Sequence, residues 1–164
     1  MESASAKTPR LVIPWIGAYF IASLVGYTLA VASITAHNLV RLMQVGAHIS
    51  AADALSTFAS DFKGLSPTFG TITKYGSILF LGFAIAFATA HVLYFFLAPR
   101  LRSARLARGL FPLAGATGMA VGLAILNAQY DVSMIAGTRG ITGLGMQYVA
   151  GAIAGWVFVR GIKP

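Results

Sequence analysis

His91 is the ionisable residue that lies deepest inside an apolar run of this sequence. About seven residues separate it from the end of that run, which at a helical rise of 1.5 Å per residue predicts a depth of roughly 10 Å. An ionisable side chain at that depth is a functional candidate, because no water solvates it there. The alternative is structural: a neutral imidazole that hydrogen-bonds to Thr117, expected at a similar depth, or to a backbone carbonyl.

Haem ligation is one cofactor chemistry that a lone intramembrane histidine suggests. A bis-histidine site is not expected, since His37 and His48 belong to the opposite end of the predicted helices. A haem held by His91 alone stays open, but no further feature of the sequence supports it. We therefore predict no cofactor.

A second group of polar residues gathers where three apolar runs end or begin on the outer side. These residues can hydrogen-bond between helices, with an Arg41–Asp131 ion pair among them, and so close the end of a helix bundle. They can also line a shallow polar pocket for a small solute, a quinone headgroup or a lipid headgroup. The members of this group are His37, Asn38, Arg41, Asn127, Asp131 and Gln147.

The sequence lacks the residues that several kinds of chemistry require. The chain has no cysteine, which excludes disulfides, thiolate metal sites and iron–sulfur clusters. No acidic residue lies within an apolar run, although proton-coupled transporters usually need an intramembrane carboxylate. Only three histidines occur, and they are scattered, whereas a hydrolytic metal site needs clustered ligands. We predict no catalytic residue and no metal site.

The candidate residues are positioned by four long apolar runs, about 11–36, 77–98, 110–130 and 144–160. A helix of about 20 apolar residues crosses the hydrocarbon of a bilayer, and the first three runs reach that length. The chain is 57% hydrophobic and 10% charged, whereas soluble proteins are about 25% charged. The sequence predicts an all-α fold: one integral membrane domain, 1–164, built as an antiparallel four-helix bundle.

A short amphipathic helix is predicted at about 51–63, in the first outer loop. Ser50 is a suitable N-cap, and Asp53 suits the first turn, where negative charge meets the helix dipole. Leu55, Phe58 and Phe62 follow at helical spacing. Such a helix can lie in the membrane interface or cap the outer end of the bundle, and the two arrangements are compatible.

The net charge of +8 is mainly a signal of topology. Basic residues close to membrane spans are retained in the cytoplasm, which predicts that both termini are cytoplasmic. We expect Arg100, Arg102, Arg105 and Arg108 to form a turn that contacts lipid phosphates, and we expect no nucleic acid partner. The usage of Ala, Gly and Arg suits a bacterial inner (plasma) membrane. The basic residues on the predicted cytoplasmic side are Lys7, Arg10, Arg100, Arg102, Arg105, Arg108, Arg160 and Lys163.

Small residues at four-residue spacing run along each predicted span. In lipid, close approach of helix backbones along such faces replaces the hydrophobic drive that operates in water. We therefore expect a tightly packed bundle whose bulky aromatic residues mostly face lipid or a partner. The aromatic residues concerned are Phe80, Phe83, Phe87, Tyr94, Phe95 and Phe96.

The sequence leaves three hypotheses of function. The favoured one is a non-enzymatic structural or accessory subunit that lies in the lipid bilayer and packs against other membrane subunits or against copies of itself. The second is a small oligomeric transporter or channel, with the outer polar group at its entrance. The third is a haem- or quinone-associated redox subunit that uses His91.

Overall fold

Every long apolar run of the sequence forms a helix. The computed structural model describes residues 12–67, 74–101, 104–130 and 140–162. Within those residues there is no strand, and the helices are α1 (Val12–Gln44), α2 (Ala51–Gly64), α3 (Tyr75–Leu101), α4 (Ala104–Tyr130) and α5 (Ile141–Ile162). Four of them, all except α2, are long and apolar enough to cross a membrane. The predicted all-helical, multi-pass membrane protein is confirmed at this level.

The helices extend beyond the apolar runs. Helix α1 has 33 residues, a length of about 50 Å, which exceeds the roughly 30 Å thickness of the hydrocarbon. Helix α4 begins at Ala104, so Arg105 and Arg108 are helical rather than part of a turn. Arginine, alanine and leucine are strong helix formers, and the helix therefore continues where the apolar run has stopped. Arg102 lies outside the described residues.

Helix α5 packs along both α1 and α4, and α3 packs along α4. The α1–α5 contacts run in opposite directions along the two helices. Near the start of α1, a Cβ atom at Gly161 would touch Ala18, and further along, a Cβ atom at Gly26 would lie 2.8 Å from the Cβ of Ala154. We call the end of the helices near α2 the α2 end, and the end with Arg108 and Arg160 the arginine end.

Glycines allow the backbones of α4 and α5 to touch. A Cβ atom at Gly115 would overlap the carbonyl oxygen of Gly151, and one at Gly155 would overlap the carbonyl oxygen of Phe111. Helices α3 and α4 approach in the same way, because a Cβ at Gly82 would lie 3.1 Å from the carbonyl oxygen of Gly118. The predicted role of small residues in packing is therefore seen at both of these helix pairs.

Aromatic side chains fill the interior between α1 and α3, whose backbones lie further apart than those of the pairs α1–α5, α4–α5 and α3–α4. Phe83 and Phe87 are fully buried, and Phe87 stacks on Phe158 with ring centroids 4.5 Å apart. The expectation that these two phenylalanines face outward is wrong, because the widely separated α1 and α3 leave a volume that only large side chains fill. It is confirmed for Phe95 and Phe96, which are 71% and 70% exposed.

Helix α2 begins with a capping box at Ser50. The Ser50 hydroxyl accepts a hydrogen bond from the backbone N–H of Asp53, and the Asp53 carboxylate accepts one from the backbone N–H of Ser50. These bonds satisfy amide groups that the first turn of a helix otherwise leaves without partners. The helix has no buried residue, although Phe58 and Phe62 pack against the core. The capping box is therefore a local source of stability for a helix that lies on the surface of the protein.

The capping box makes the start of α2 sensitive to acid. Hydrogen bonds from the Ser50 side chain and then from its backbone hold the pKa of Asp53 below its ordinary value. The ionised carboxylate therefore stabilises α2 above the unfolded-state pKa of about 3.9, and this contribution is lost as the pH falls through the lower folded-state pKa.

The Ser50→Ala variant is expected to raise the pKa of Asp53 towards its ordinary value, because the hydrogen bond from the Ser50 side chain is lost, and to destabilise the first turn of α2 by about 1 kcal/mol. An NMR titration of the Asp53 carboxyl and amide exchange across α2 measure the two effects. Ser60→Ala, on the exposed part of the same helix, is the matched control and should change neither quantity. An unchanged pKa in Ser50→Ala would contradict the capping role.

Candidate functional site

A polar cluster centred on Gln147 is buried near the α2 end, and it joins three helices. The Gln147 side chain of α5 is fully buried. Its amide nitrogen donates to the carbonyl oxygen of Ala30 at 3.1 Å and to the hydroxyl of Ser33 at 2.8 Å, both in α1. Its amide oxygen accepts from the hydroxyl of Tyr75 in α3 at 2.6 Å. We call Gln147, Tyr75, Ser33 and Ala30 the glutamine junction.

The glutamine junction is complete in itself. Both N–H groups of the Gln147 amide have acceptors, its oxygen has a donor, and the Ser33 hydroxyl donates to the Ala30 carbonyl at 2.8 Å. A satisfied buried network rigidifies the elements it joins, and a glutamine side chain does not ionise at neutral pH. This arrangement can fix the mutual positions of α1, α3 and α5, and the hydroxyls of Ser33 and Tyr75 both donate within the junction.

Within the described residues, no side-chain hydrogen bond joins two members of the predicted outer polar group. Of its members, Gln147 bonds to residues outside the group. Arg41 and Asn127 are exposed, and His37 and Asn38 are half-buried. The Nε2 atom of His37 is buried and has no hydrogen-bond partner within the described residues. Asp131 lies outside them, so the predicted ion pair with Arg41 is not described.

Helix α2 leans against α1 beside the glutamine junction. The hydroxyl of Thr35 donates to the Asp61 carboxylate at 2.7 Å. Deeper along α1, the hydroxyl of Tyr27 donates to the backbone carbonyl oxygen of Phe62. The segment after α2 then reaches α3, where the backbone N–H of Gly76 donates to the carbonyl oxygen of Leu65 at 2.9 Å. These contacts place the end of α2 directly over the start of α3.

His91 and Thr117 lie on the surface of the protein and do not bond to each other. The imidazole of His91 is exposed, and its ring meets the Trp15 ring edge-on with centroids 6.4 Å apart. The hydroxyl of Thr117 donates to the carbonyl oxygen of Leu113 in its own helix at 2.8 Å. His91 is thus level with a tryptophan, a residue type that favours the membrane interface.

The predicted lipid-contacting arginines are only partly described. Arg100 belongs to α3 and Arg105 to α4, but the positions of their side chains are outside the described part of the structure. Arg108 lies in α4, and its side chain is exposed. Its contact with lipid phosphate stays a prediction.

An apolar groove runs along the outside of α3 and α4. It has a volume of about 450 Å³, and its floor is formed where Gly82 and Gly118 bring the two helices together. The hydroxyl-bearing residues Thr89 and Thr117 are the polar side chains that line it. The aliphatic side chains that border it are Ile78, Leu81, Ile85, Leu93, Leu110, Leu113, Val121 and Ile125.

Sequence reasoning missed three members of the glutamine junction. Tyr75 lies just before the second apolar run, and Ser33 and Ala30 lie inside the first. Counting residues from the ends of the oppositely directed runs could have placed the three residues at a common depth. It could not have shown which way each side chain points around its helix. For metals, the described residues contain no group of three His, Cys, Asp or Glu side chains that could hold an ion.

Comparisons with protein-family models, with curated proteins and with solved structures found no match for this chain.

Proposed function

We propose that this protein is a non-enzymatic accessory subunit of a larger membrane complex, and that its α3–α4 face receives a transmembrane helix of another subunit. In this proposal the four long helices form an antiparallel bundle in a bacterial inner membrane, with both termini in the cytoplasm. The arginine end is then cytoplasmic and the α2 end faces outward. No cofactor, metal ion or nucleic acid is part of the proposed function.

The apolar groove is the observation that supports this proposal. Its lining runs from Ile78 to Leu93 along α3, about 22 Å or four turns of helix. Helices in lipid associate by close packing. The floor of the groove, where Gly82, Ala86 and Gly118 pack on one another, carries no bulky side chain that would keep an incoming helix away. Large aliphatic side chains on both sides would then pack around the incoming helix. A groove of this length and composition is suited to a helix.

The other polar features support a structural role. The glutamine junction uses all its hydrogen-bonding groups within the protein, which is how polar residues hold membrane helices together. His91 lies on the surface beside Trp15, and the described residues contain no group of three His, Cys, Asp or Glu side chains that could hold a metal ion. A redox or hydrolytic function would need several reactive side chains at one place, whereas the histidine and aspartate side chains that the structure describes lie apart from one another.

The Thr89→Phe variant is expected to lose the partner subunit. Thr89 lines the groove, so a phenylalanine there would occupy the space that the helix needs. Ala88→Phe is the matched control, because Ala88 is the neighbouring exposed residue of α3 and does not line the groove. Each variant is purified from its native membrane in a mild detergent, and the proteins that co-purify in fixed ratio are identified by mass spectrometry.

The wild-type protein and Ala88→Phe should retain the same partner, whereas Thr89→Phe should lose it while keeping its thermal stability. Loss of the partner in both variants would show that partner binding does not depend on the groove, and would contradict the proposed docking site. Recovery of the wild-type protein only as a homo-oligomer, without a second polypeptide, would contradict the accessory-subunit function and favour self-association through this face.

A further inference from the structure

Two threonine hydroxyls interrupt the apolar lining of the α3–α4 groove close to the middle of the spans. The candidate spans in α3 and α4 are Tyr75–Leu97 and Leu106–Ala128. Thr117 is the middle residue of the second span, and Thr89 lies about 4.5 Å along α3 from the middle of the first. Both side chains are exposed and line the groove. The groove therefore presents two polar groups at a depth where lipid is hydrocarbon.

The two hydroxyls differ in the hydrogen bonds that they can still make. The Thr117 hydroxyl donates to the carbonyl oxygen of Leu113 at 2.8 Å, so its oxygen can still accept a hydrogen bond. The Thr89 hydroxyl makes no hydrogen bond within the described residues, not even to a carbonyl oxygen of its own helix. The groove thus offers one donor, at Thr89, and one acceptor, at Thr117.

Contacts along the floor of the groove fix the relative level of α3 and α4. A Cβ atom at Gly118 would lie 3.0 Å from the Cβ of Ala86 and 3.1 Å from the carbonyl oxygen of Gly82. A Cβ atom at Gly122, one turn further along α4, would instead lie 3.5 Å from a methyl group of Ile78, one turn earlier in α3. The two helices therefore run in opposite directions along the groove.

This register places the donor and the acceptor about 6 Å apart along the helix axes. Thr117 directly precedes Gly118 and lies about 1.5 Å from its level, towards the arginine end. Thr89 lies about 7.5 Å beyond the midpoint between Gly82 and Ala86, in the same direction. A side-chain amide suits this separation, because its oxygen accepts and its nitrogen donates at two ends of one planar group. Two hydrogen bonds of about 2.9 Å, with the amide between them, span the distance.

Lipid cannot supply the missing partners at this depth, because its polar atoms lie at the two edges of the hydrocarbon. The backbone of an incoming helix uses its own hydrogen-bonding groups internally. The lining of the groove contains no charged side chain, so a carboxylate or an ammonium group from a partner would lack an opposite charge in hydrocarbon. The remaining candidate is a neutral side chain that both accepts and donates, and asparagine and glutamine have this property.

The protein itself uses an amide in this way at the glutamine junction. The oxygen of the Gln147 amide accepts from the hydroxyl of Tyr75, and its nitrogen donates to the hydroxyl of Ser33. One amide on α5 thereby joins hydroxyl groups on two other helices. The donor at Thr89 and the acceptor at Thr117 are the same pair of groups, but without the amide between them.

We propose that the transmembrane helix received by the α3–α4 groove carries an asparagine or a glutamine near its middle. The side-chain oxygen of this residue accepts from Thr89, and its nitrogen donates to Thr117. The inference rests on the proposed accessory-subunit function, since it names the chemistry of the partner at the same groove. The aliphatic borders of the groove suit any apolar helix, whereas the two threonines select a helix with an amide at the matching depth.

Model transmembrane helices test this pairing directly. Two peptides of alanine and leucine, each of about 22 residues, carry a donor dye and differ only in a central glutamine or leucine. The chain has no cysteine, so Ser60→Cys, at an exposed position of α2, takes a single acceptor dye. Energy transfer in phosphatidylcholine vesicles then gives an apparent dissociation constant for each peptide.

The wild-type protein should bind the glutamine peptide about ninefold more tightly than the leucine peptide, as expected for two hydrogen bonds between membrane helices. Thr89→Val and Thr117→Val keep the shape of the side chain but remove the hydroxyl, and each should lower this preference about threefold. Thr28→Val is the matched control, because Thr28 donates to its own helix at Leu24 and lies outside the groove. It should keep the wild-type preference.

Equal binding of the two peptides by the wild-type protein would overturn the amide pairing and leave helix docking in place. A preference that survives in both Thr89→Val and Thr117→Val, or that falls equally in Thr28→Val, would also overturn it. If neither peptide binds, docking of a helix in this groove is refuted together with the pairing.

The partner subunit identified by co-purification gives the second measurement. One of its spans should carry an asparagine or a glutamine near the middle, and the Thr89→Val variant should recover less of this partner than Thr28→Val. A stoichiometric partner without such an amide would contradict the pairing, although it would support the accessory-subunit function. Failure of this inference and failure of the proposed function are therefore distinguishable.

Discussion

The Gly155→Val variant is expected to lose about 3 kcal/mol of stability, because a side chain at this position would push α5 away from α4. A Cβ at Gly155 would overlap the carbonyl oxygen of Phe111 and approach the Cα of Pro112 to 2.8 Å. These are backbone atoms, which cannot rotate aside as the end of a flexible side chain does. The helices must separate and lose the dispersion contacts that replace the hydrophobic effect in lipid.

Unfolding in mixed micelles of mild detergent and dodecyl sulfate, followed by circular dichroism, measures the loss. Gly145→Val is the matched control, since Gly145 is in the same helix, is exposed and would have no atom within 4 Å of an added Cβ. It should unfold near the wild-type midpoint. If Gly155→Val yields no folded protein, Gly155→Ala should still show a reduced midpoint. Equal midpoints for Gly155→Ala, Gly145→Val and the wild type would refute the close contact of α4 and α5.

The Gln147→Leu variant is expected to lose about 2 kcal/mol, the second largest effect. Leucine fills most of the space but leaves the hydroxyl of Tyr75 without an acceptor and the hydroxyl of Ser33 without its donor. Tyr75 is 3% exposed, so water does not readily replace the lost partner, and a buried donor without an acceptor is unfavourable. Asn127→Leu, at an exposed position, is the control and should change stability little.

A double-mutant cycle with Tyr75→Phe distinguishes the hydrogen bond from a change in packing. In the wild-type background Tyr75→Phe removes the donor to Gln147 and should destabilise the protein by about 1 kcal/mol. In the Gln147→Leu background the same change removes an unsatisfied hydroxyl and should be neutral or stabilising. Additive losses in the two backgrounds would mean that the Tyr75–Gln147 hydrogen bond contributes nothing to stability.

The apolar runs identified the helices but not their ends. Hydropathy reports where lipid can surround a segment, whereas a helix persists as long as its residues favour helical geometry. Helix α1 therefore continues to Gln44 through Arg41, and α4 begins at Ala104 before its apolar run starts. The membrane sets a minimum length for these helices, and the local sequence sets where they stop.

The candidate site was predicted in part. Gln147 stands out as a lone amide at the start of an apolar run, and its involvement in hydrogen bonds between helices could be expected. The partners of Gln147 could not be predicted, because the pattern of apolar runs gives the depth of a residue along a helix but not the neighbour that it faces. The same reason explains Phe83 and Phe87, whose burial depends on the wide separation of α1 and α3.

By itself, the sequence determined that lipid surrounds this protein, because a chain that is 57% hydrophobic and 10% charged cannot present a polar surface to water. It also determined the four candidate spans and the small residues through which they pack. Only the tertiary structure decided that Gln147 meets Tyr75 and Ser33 and that His91 lies on the surface. Which residues meet depends on the rotation of each helix about its axis and on which helices are neighbours. Contacts between residues far apart in the chain determine the rotation and the neighbours.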